Sequence, residues 1–97
     1  MAVRGRTVQV DSTTPVVVRP GDASRRPGMT LVISNPHSEQ RHLLLGGPDL
    51  TASSNIGLEI APGMSAYFDG ILRYDDAIYC IAQSGTGMTF YVLEVGV

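Results

Sequence analysis

The side chains in this sequence that are best suited to metal binding or catalysis are two histidines, two adjacent aspartates and one cysteine. His37 and His42 have a spacing that some zinc sites use, but no cysteine pair and no HExxH motif completes a set of four ligands. Asp75 and Asp76 are neighbours, and neighbours in a strand point to opposite faces, which excludes a catalytic carboxylate pair. Cys80 lies in the apolar run AIYCIA, typical of a small buried hydrophobe. We predict no metal site here.

Two short motifs come close to known catalytic or cofactor-binding patterns. The segment GTGMTF at 85–90 begins like a dinucleotide-binding loop, but its sixth residue is Phe90 and it joins two predicted strands instead of opening a helix. The segment GMSAY at 63–67 has no glycine after its serine, so it is not a nucleophile elbow. Because no nucleophile, base and orienting group have a recognisable spacing, we predict a protein that is not an enzyme and needs no cofactor.

Charge is sparse in this chain of 97 residues. Charged residues make up 16% and hydrophobic residues 43%, and the seven cations, all arginine, are scattered and give a net charge of -2. Without a basic block, binding to nucleic acid is disfavoured. The opening residues MAVRGRTVQVD lack the apolar core of a signal peptide, and no apolar run approaches the roughly 18 residues of a membrane span. We therefore predict one domain over 1–97, made in a cytoplasm, with no membrane partner.

Alternation of apolar and polar residues recurs along the chain, whereas no window has the periodicity of an amphipathic helix. Clusters of glycine, proline, asparagine and aspartate separate the alternating segments and are typical of sharp turns. Eight short strands with such turns predict an all-β fold, a single antiparallel β-sandwich or barrel. The predicted strands are 7–10, 15–19, 29–34, 41–45, 57–61, 65–69, 77–82 and 88–95.

Three of these strands, 15–19, 77–82 and 88–95, are apolar on both faces. A single sandwich has one interior, so the second faces must be covered by loops, by the N-terminal segment or by another chain. The low charge content favours another chain. The long connection LGGPDLTASSNIGLEIAPG at 45–63 is expected to be structured and to contribute to such contacts. The candidate partner contacts in these regions are Pro48, Leu50, Phe90 and Val92.

The stretch RHLLLGGPDLTASSNIGLEIAPGMSAYF, followed by AIYCIAQSGTGMTFYVLEVG, resembles a pattern in small β-sandwich virion proteins of tailed bacteriophages, including head decoration proteins. The shared features are LGGPDLTAS after a strand, GLEIAPG as a strand and turn, IYCIAQSG entering a hairpin, and VLE in the last strand. The resemblance covers about 29–97. It implies a non-enzymatic part of the virion shell, often trimeric, that binds the assembled lattice of major capsid protein and reinforces it.

On this resemblance we expect a homotrimeric decoration protein on the capsid surface that clamps neighbouring major capsid subunits. Residues 1–10 are a candidate arm that lays a strand or an ion pair on the capsid, with an ordinary edge strand as the alternative. Arg25 and Arg26 are candidates for contact with an acidic patch of the shell, with a solvated turn as the alternative. The candidate contacts within the arm are Val3, Arg4 and Arg6.

Two other functions remain open. One is a carbohydrate-binding module at the virion surface or tail. Sugar sites usually present exposed aromatic rings, and this sequence has no tryptophan and only four tyrosines, several of them predicted to point inward. The other is a head–tail connector or tail component, which differs mainly in symmetry and copy number.

Overall fold

The computed structural model describes residues 3–19, 30–52, 58–69 and 77–95, and these segments contain eight β-strands. All eight predicted strands are present, which confirms the all-β prediction. The largest difference is at the first strand, which begins at Val3 instead of residue 7. The strands are β1 (Val3–Val10), β2 (Val16–Arg19), β3 (Thr30–Ser34), β4 (Leu43–Gly46), β5 (Leu58–Ile60), β6 (Ser65–Asp69), β7 (Ile78–Ala82) and β8 (Met88–Val95).

The strands form two four-stranded antiparallel sheets, in the order β1-β8-β3-β6 in the first sheet and β2-β7-β4-β5 in the second. Each strand of the first half pairs with its counterpart in the second half: β1 with β8, β2 with β7, β3 with β6 and β4 with β5. The chain is therefore one long hairpin, bent between β4 and β5 and rolled so that its strand pairs alternate between the sheets. This arrangement is the jelly-roll form of a β-sandwich.

The interior between the sheets is filled by alternate side chains of both sheets. In β8 the even-numbered residues point inward, and Phe90 has no exposed surface. The prediction that Phe90 and Val92 contact a partner is wrong, because strand alternation places both inside the fold. Other members of this core are Val10, Val18, Leu31, Ile33, Leu43, Leu45, Ile60, Ala66, Ile78, Cys80, Ala82 and Met88.

A second, smaller core lies on the other side of the second sheet. Leu44 and Ile81 point away from the main interior, and Leu50 from the connection after β4 packs on both and is itself buried. A side chain at Gly46 would place its Cβ 3.0 Å from Leu50 Cδ1, so the glycine leaves the space in which Leu50 packs. The prediction that Leu50 contacts a partner is therefore wrong. At Ile81, the chain itself covers the second apolar face of 77–82.

Strand β1 is an edge strand of the first sheet. It pairs with β8 over its whole length, from Val3 opposite Val95 to Val10 opposite Met88. Of the two interpretations of residues 1–10, the edge strand is confirmed for 3–10, and residues 1 and 2 lie outside the described segments.

We expect Leu50→Ala to lower the free energy of unfolding by about 2–5 kcal/mol, because it leaves a cavity over Leu44 and Ile81. The measurement is urea denaturation followed by circular dichroism. The matched control is Leu58→Ala, at an exposed leucine of β5, which should change the same free energy by less than about 1 kcal/mol. Equal effects of the two substitutions would contradict the covering role of Leu50.

Candidate functional site

The side of the first sheet that points away from the interior is apolar and exposed. We call it the outer face. The pairing registers align Gly5, Leu93, Val32 and Tyr67 in one row across all four strands. Tyr67 is 70% exposed and Leu93 is 40% exposed. The apolar residues of the outer face are Val3, Val32, Tyr67, Tyr91, Leu93 and Val95.

Polar groups on the outer face are mostly hydroxyls. Tyr91 is 50% exposed and lies opposite Thr7 on one side and Ser34 on the other. Among the described residues that point to this side, Asp69 is the only charged one, and its Oδ1 accepts a hydrogen bond from Thr30 Oγ1 at 2.8 Å. The outer face is therefore nearly uncharged, which suits contact with an uncharged surface.

A shallow groove of about 370 Å³ crosses the outer face where β1, β8 and β3 adjoin. Gly5 lines the groove, and a Cβ built there would lie 3.8 Å from Leu93 Cδ1, an ordinary contact. Leu93 and Val32 contribute apolar surface, and Thr7 and Ser34 contribute hydroxyls. The groove can accept an apolar group that carries a hydrogen-bonding substituent.

Of the candidate contacts in β1, Val3 and Arg4 are exposed, whereas Arg6 is engaged within its own chain. Arg6 Nη2 donates to the Val18 carbonyl oxygen of the second sheet and lies 3.3 Å from Oε1 of the fully buried Glu94. The guanidinium of Arg6 thus links the two sheets and balances an interior carboxylate. Its side chain is 34% exposed, so its contact with a partner stays a prediction.

Of the remaining predicted contacts, only Pro48 is described, and it is not part of the outer face. Pro48 is exposed in the turn after β4, next to the second sheet. Arg25 and Arg26 lie outside the described residues, so their predicted roles stay predictions.

The charged groups with the most defined geometry lie at one end of the sandwich. Arg41 binds both carboxylate oxygens of Glu39, with Nε to Oε1 at 2.8 Å and Nη2 to Oε2 at 3.1 Å. Its Nη1 donates to the carbonyl oxygens of Ser84 and Thr86, each at 3.0 Å. Arg41 thereby fastens the β7–β8 hairpin to the β3–β4 loop. Its donors are satisfied by the chain, so the cluster is structural.

Asn35 holds the same end together from inside. Its Nδ2 donates to the carbonyl oxygens of Arg41 and Ile60, each at 2.9 Å, and its backbone exchanges hydrogen bonds with Gly63 and Met64. The side chain is buried, and its Oδ1 has no partner within the described part of the protein. A buried amide with two donated bonds fixes the β3–β4 connection relative to the end of β5 and the β5–β6 turn.

Among the residues first considered for chemistry, those that the structure describes do not assemble into a site. His37 is exposed, and Nδ1 of His42 lies 2.8 Å from Oε1 of Glu59. Cys80 is buried, as predicted, and burial raises the pKa of its thiol well above the ordinary value. Asp75 and Asp76 lie outside the described residues. Across the segments that are described, no three histidine, cysteine, aspartate or glutamate side chains are placed to hold a metal ion.

Comparisons of this chain with models of protein families, with curated proteins and with solved structures each find no match. Within the described segments, no helix has the length and apolarity needed to cross a membrane. The outer face is thus the candidate functional site, and it rests on geometry alone. Sequence reasoning missed it because both faces of 88–95 are apolar. Tyr67 and Tyr91 also correct the expectation that several tyrosines point inward.

The pair of Glu39 and Arg41 predicts a pH dependence of stability. The hydrogen bonds from Arg41 lower the pKa of Glu39 from 4.5 to about 2. A carboxyl group with a lowered pKa stabilises the fold fully above pH 4.5, and this stabilisation is lost as the pH falls towards 2. In Glu39→Gln we expect the melting temperature to fall less over this range than in the wild type.

Thermal melting followed by circular dichroism at several pH values measures the effect. The control is Asp49→Asn, the same chemical change at an exposed turn carboxylate. Parallel pH profiles for the wild type and Glu39→Gln would refute this role of the pair.

Proposed function

We propose that this protein is a non-enzymatic structural component of a bacteriophage virion, a head decoration protein that binds the assembled lattice of major capsid protein through its outer face. The observation that carries the proposal is the uncharged row across all four strands of one sheet, in which Leu93 and Tyr67 are exposed and Val32 between them is half-buried. Contiguous apolar surface on a small domain marks a contact with another macromolecule.

The size of the outer face suits attachment at repeated sites. Four strands spaced about 4.8 Å apart and five to eight residues long give a footprint of roughly 300–500 Å². A standard stable interface buries about 800 Å² on each partner. A face of this size can attach the protein firmly when several linked copies bind one lattice, because the binding free energies of linked sites combine. Binding only to the assembled form then stabilises the particle by mass action.

The resemblance of 29–97 to phage virion proteins supports the same proposal from the sequence. It implies a protein on the capsid surface, made in the host cytoplasm, and a homo-oligomer, and these are part of the proposal. The chemistry of the described residues also agrees with a binding role, because their best-defined polar groups, Arg41, Glu39 and Asn35, fasten the chain to itself.

The direct test is to mix the purified protein with decoration-free capsids and to measure bound copies per particle and the heat resistance of the particle. We expect saturable binding and a higher disruption temperature. Leu93→Ser should weaken binding by about tenfold or more, because it puts a polar group at the centre of the contact.

The matched control for Leu93→Ser is Val17→Ser. Val17 is 41% exposed, like Leu93, but it lies on β2, an edge strand of the second sheet. We expect it to bind capsids like the wild type. No saturable binding by the wild type, or equal loss in the two variants, would refute the proposal.

A carbohydrate-binding module is the second candidate, and two observations favour it. Tyr67 and Tyr91 are exposed on the same face, and Tyr91 adjoins the groove that Thr7 and Ser34 rim with hydroxyls. Aromatic rings can stack on a sugar, and the neighbouring hydroxyl groups can form hydrogen bonds with it. If this candidate is right, the wild type binds specific glycans on an array and Tyr91→Ala abolishes the signal; an array without hits removes it.

A further inference from the structure

The four edge strands of the sandwich differ in how they are protected from pairing with another strand. Strand β5 has three residues, and Pro62 follows it closely. Strand β2 has four residues, begins directly after Pro15, and shifts register between Val17 and Arg19. Strand β6 has five residues and ends at the exposed Asp69. Shortness, proline, bulges and charge are the usual means of blocking an edge.

Strand β1 has fewer of these protections, and its exposed charge is Arg4. It has eight residues, contains no proline, and pairs with β8 without a register shift. The guanidinium of Arg6, which could block the edge, is turned inward to Glu94 and Val18. In the described part of the protein no strand pairs with its other side. A long, regular, unpaired edge is a template for one more strand.

We propose that β1 pairs with β1 of a second copy of this chain, antiparallel and around a two-fold axis that passes through Thr7, to form a dimer with one continuous eight-stranded sheet. A two-fold axis perpendicular to the sheet keeps the outer faces of both copies on the same side. Opposed residues must then both be odd-numbered or both be even-numbered, because alternate residues of a strand point to opposite faces.

The arginines of β1 select the register. An axis through Gly5 would set Arg4 opposite Arg6 of the second copy, and an axis through Arg6 would set the two Arg6 residues opposite each other. Like charges directly opposite across a strand pair are destabilising. An axis through Thr7 avoids both, sets threonine opposite threonine, and pairs residues 4–10. An axis through Val8 also avoids them but pairs only 6–10.

The dimer joins two outer faces into one surface of about twice the area. It also differs from the trimer that the resemblance implies, because a self-complementary contact between identical edges closes with two copies. The inference concerns the protein in solution and does not depend on capsid binding.

The test is the mass of the wild type in solution, measured by light scattering after size exclusion and by sedimentation equilibrium. We expect a dimer. Thr7→Glu and Thr7→Lys each place two like charges opposite each other at the axis and should weaken the dimer by about tenfold or more. An equal mixture of the two variants should restore it, because each mixed pair sets a carboxylate opposite an ammonium group.

The matched control is Gln9→Glu, on the same strand and the same face as Thr7, and exposed like it. In the proposed register residue 9 lies opposite Gly5 of the second copy, so this variant should remain dimeric. Thermal melting of each variant establishes that it is folded. A monomeric or trimeric wild type, no recovery in the mixture, or dissociation by Gln9→Glu with Thr7→Glu unaffected would each overturn the proposal.

Discussion

The pairing of β8 with strands on both of its sides is the constraint on which this structure depends. β8 lies between β1 and β3, and its registers fix where those strands stand. Its even residues, with Phe90 at the centre, fill the interior, and its odd residues, with Leu93 at the centre, form the middle of the outer face. The core and the candidate binding surface are therefore two sides of one strand, and a shift by one residue would exchange them.

The positions of the strands could be predicted from the sequence, because proline fixes the backbone locally, glycine permits conformations that other residues avoid, and both mark the reversals. The choice of the inward face could not be predicted in the same way. In β8 both faces are apolar, and its one charged residue, Glu94, wrongly suggests that the even-numbered face points outward. It is buried because Arg6, 88 residues away, accompanies it. Such pairings belong to the topology, and no local pattern encodes them.

The apolar strand residues that lie outside the main interior are found in two places. Over the second sheet they form a small core of their own, where Leu50 closes on Leu44 and Ile81. Over the first sheet they remain exposed as the outer face. The sequence correctly indicated more apolar strand surface than one interior can hold, but it named Phe90, Val92 and Leu50 as the exposed part. The connection after β4, which offers few reactive side chains, thus contributes to stability through Leu50.

The opposition of Val3 and Val95 has a consequence for the way the chain is made. Among the described strands β8 is the only partner of β1, so β1 stays unpaired until the residues of β8 have been synthesised. Closing so long a loop costs chain entropy before any contact repays it, which makes jelly-roll folding slow. During that interval the nascent chain presents apolar strands with open edges, and chaperones are the natural protection against its aggregation.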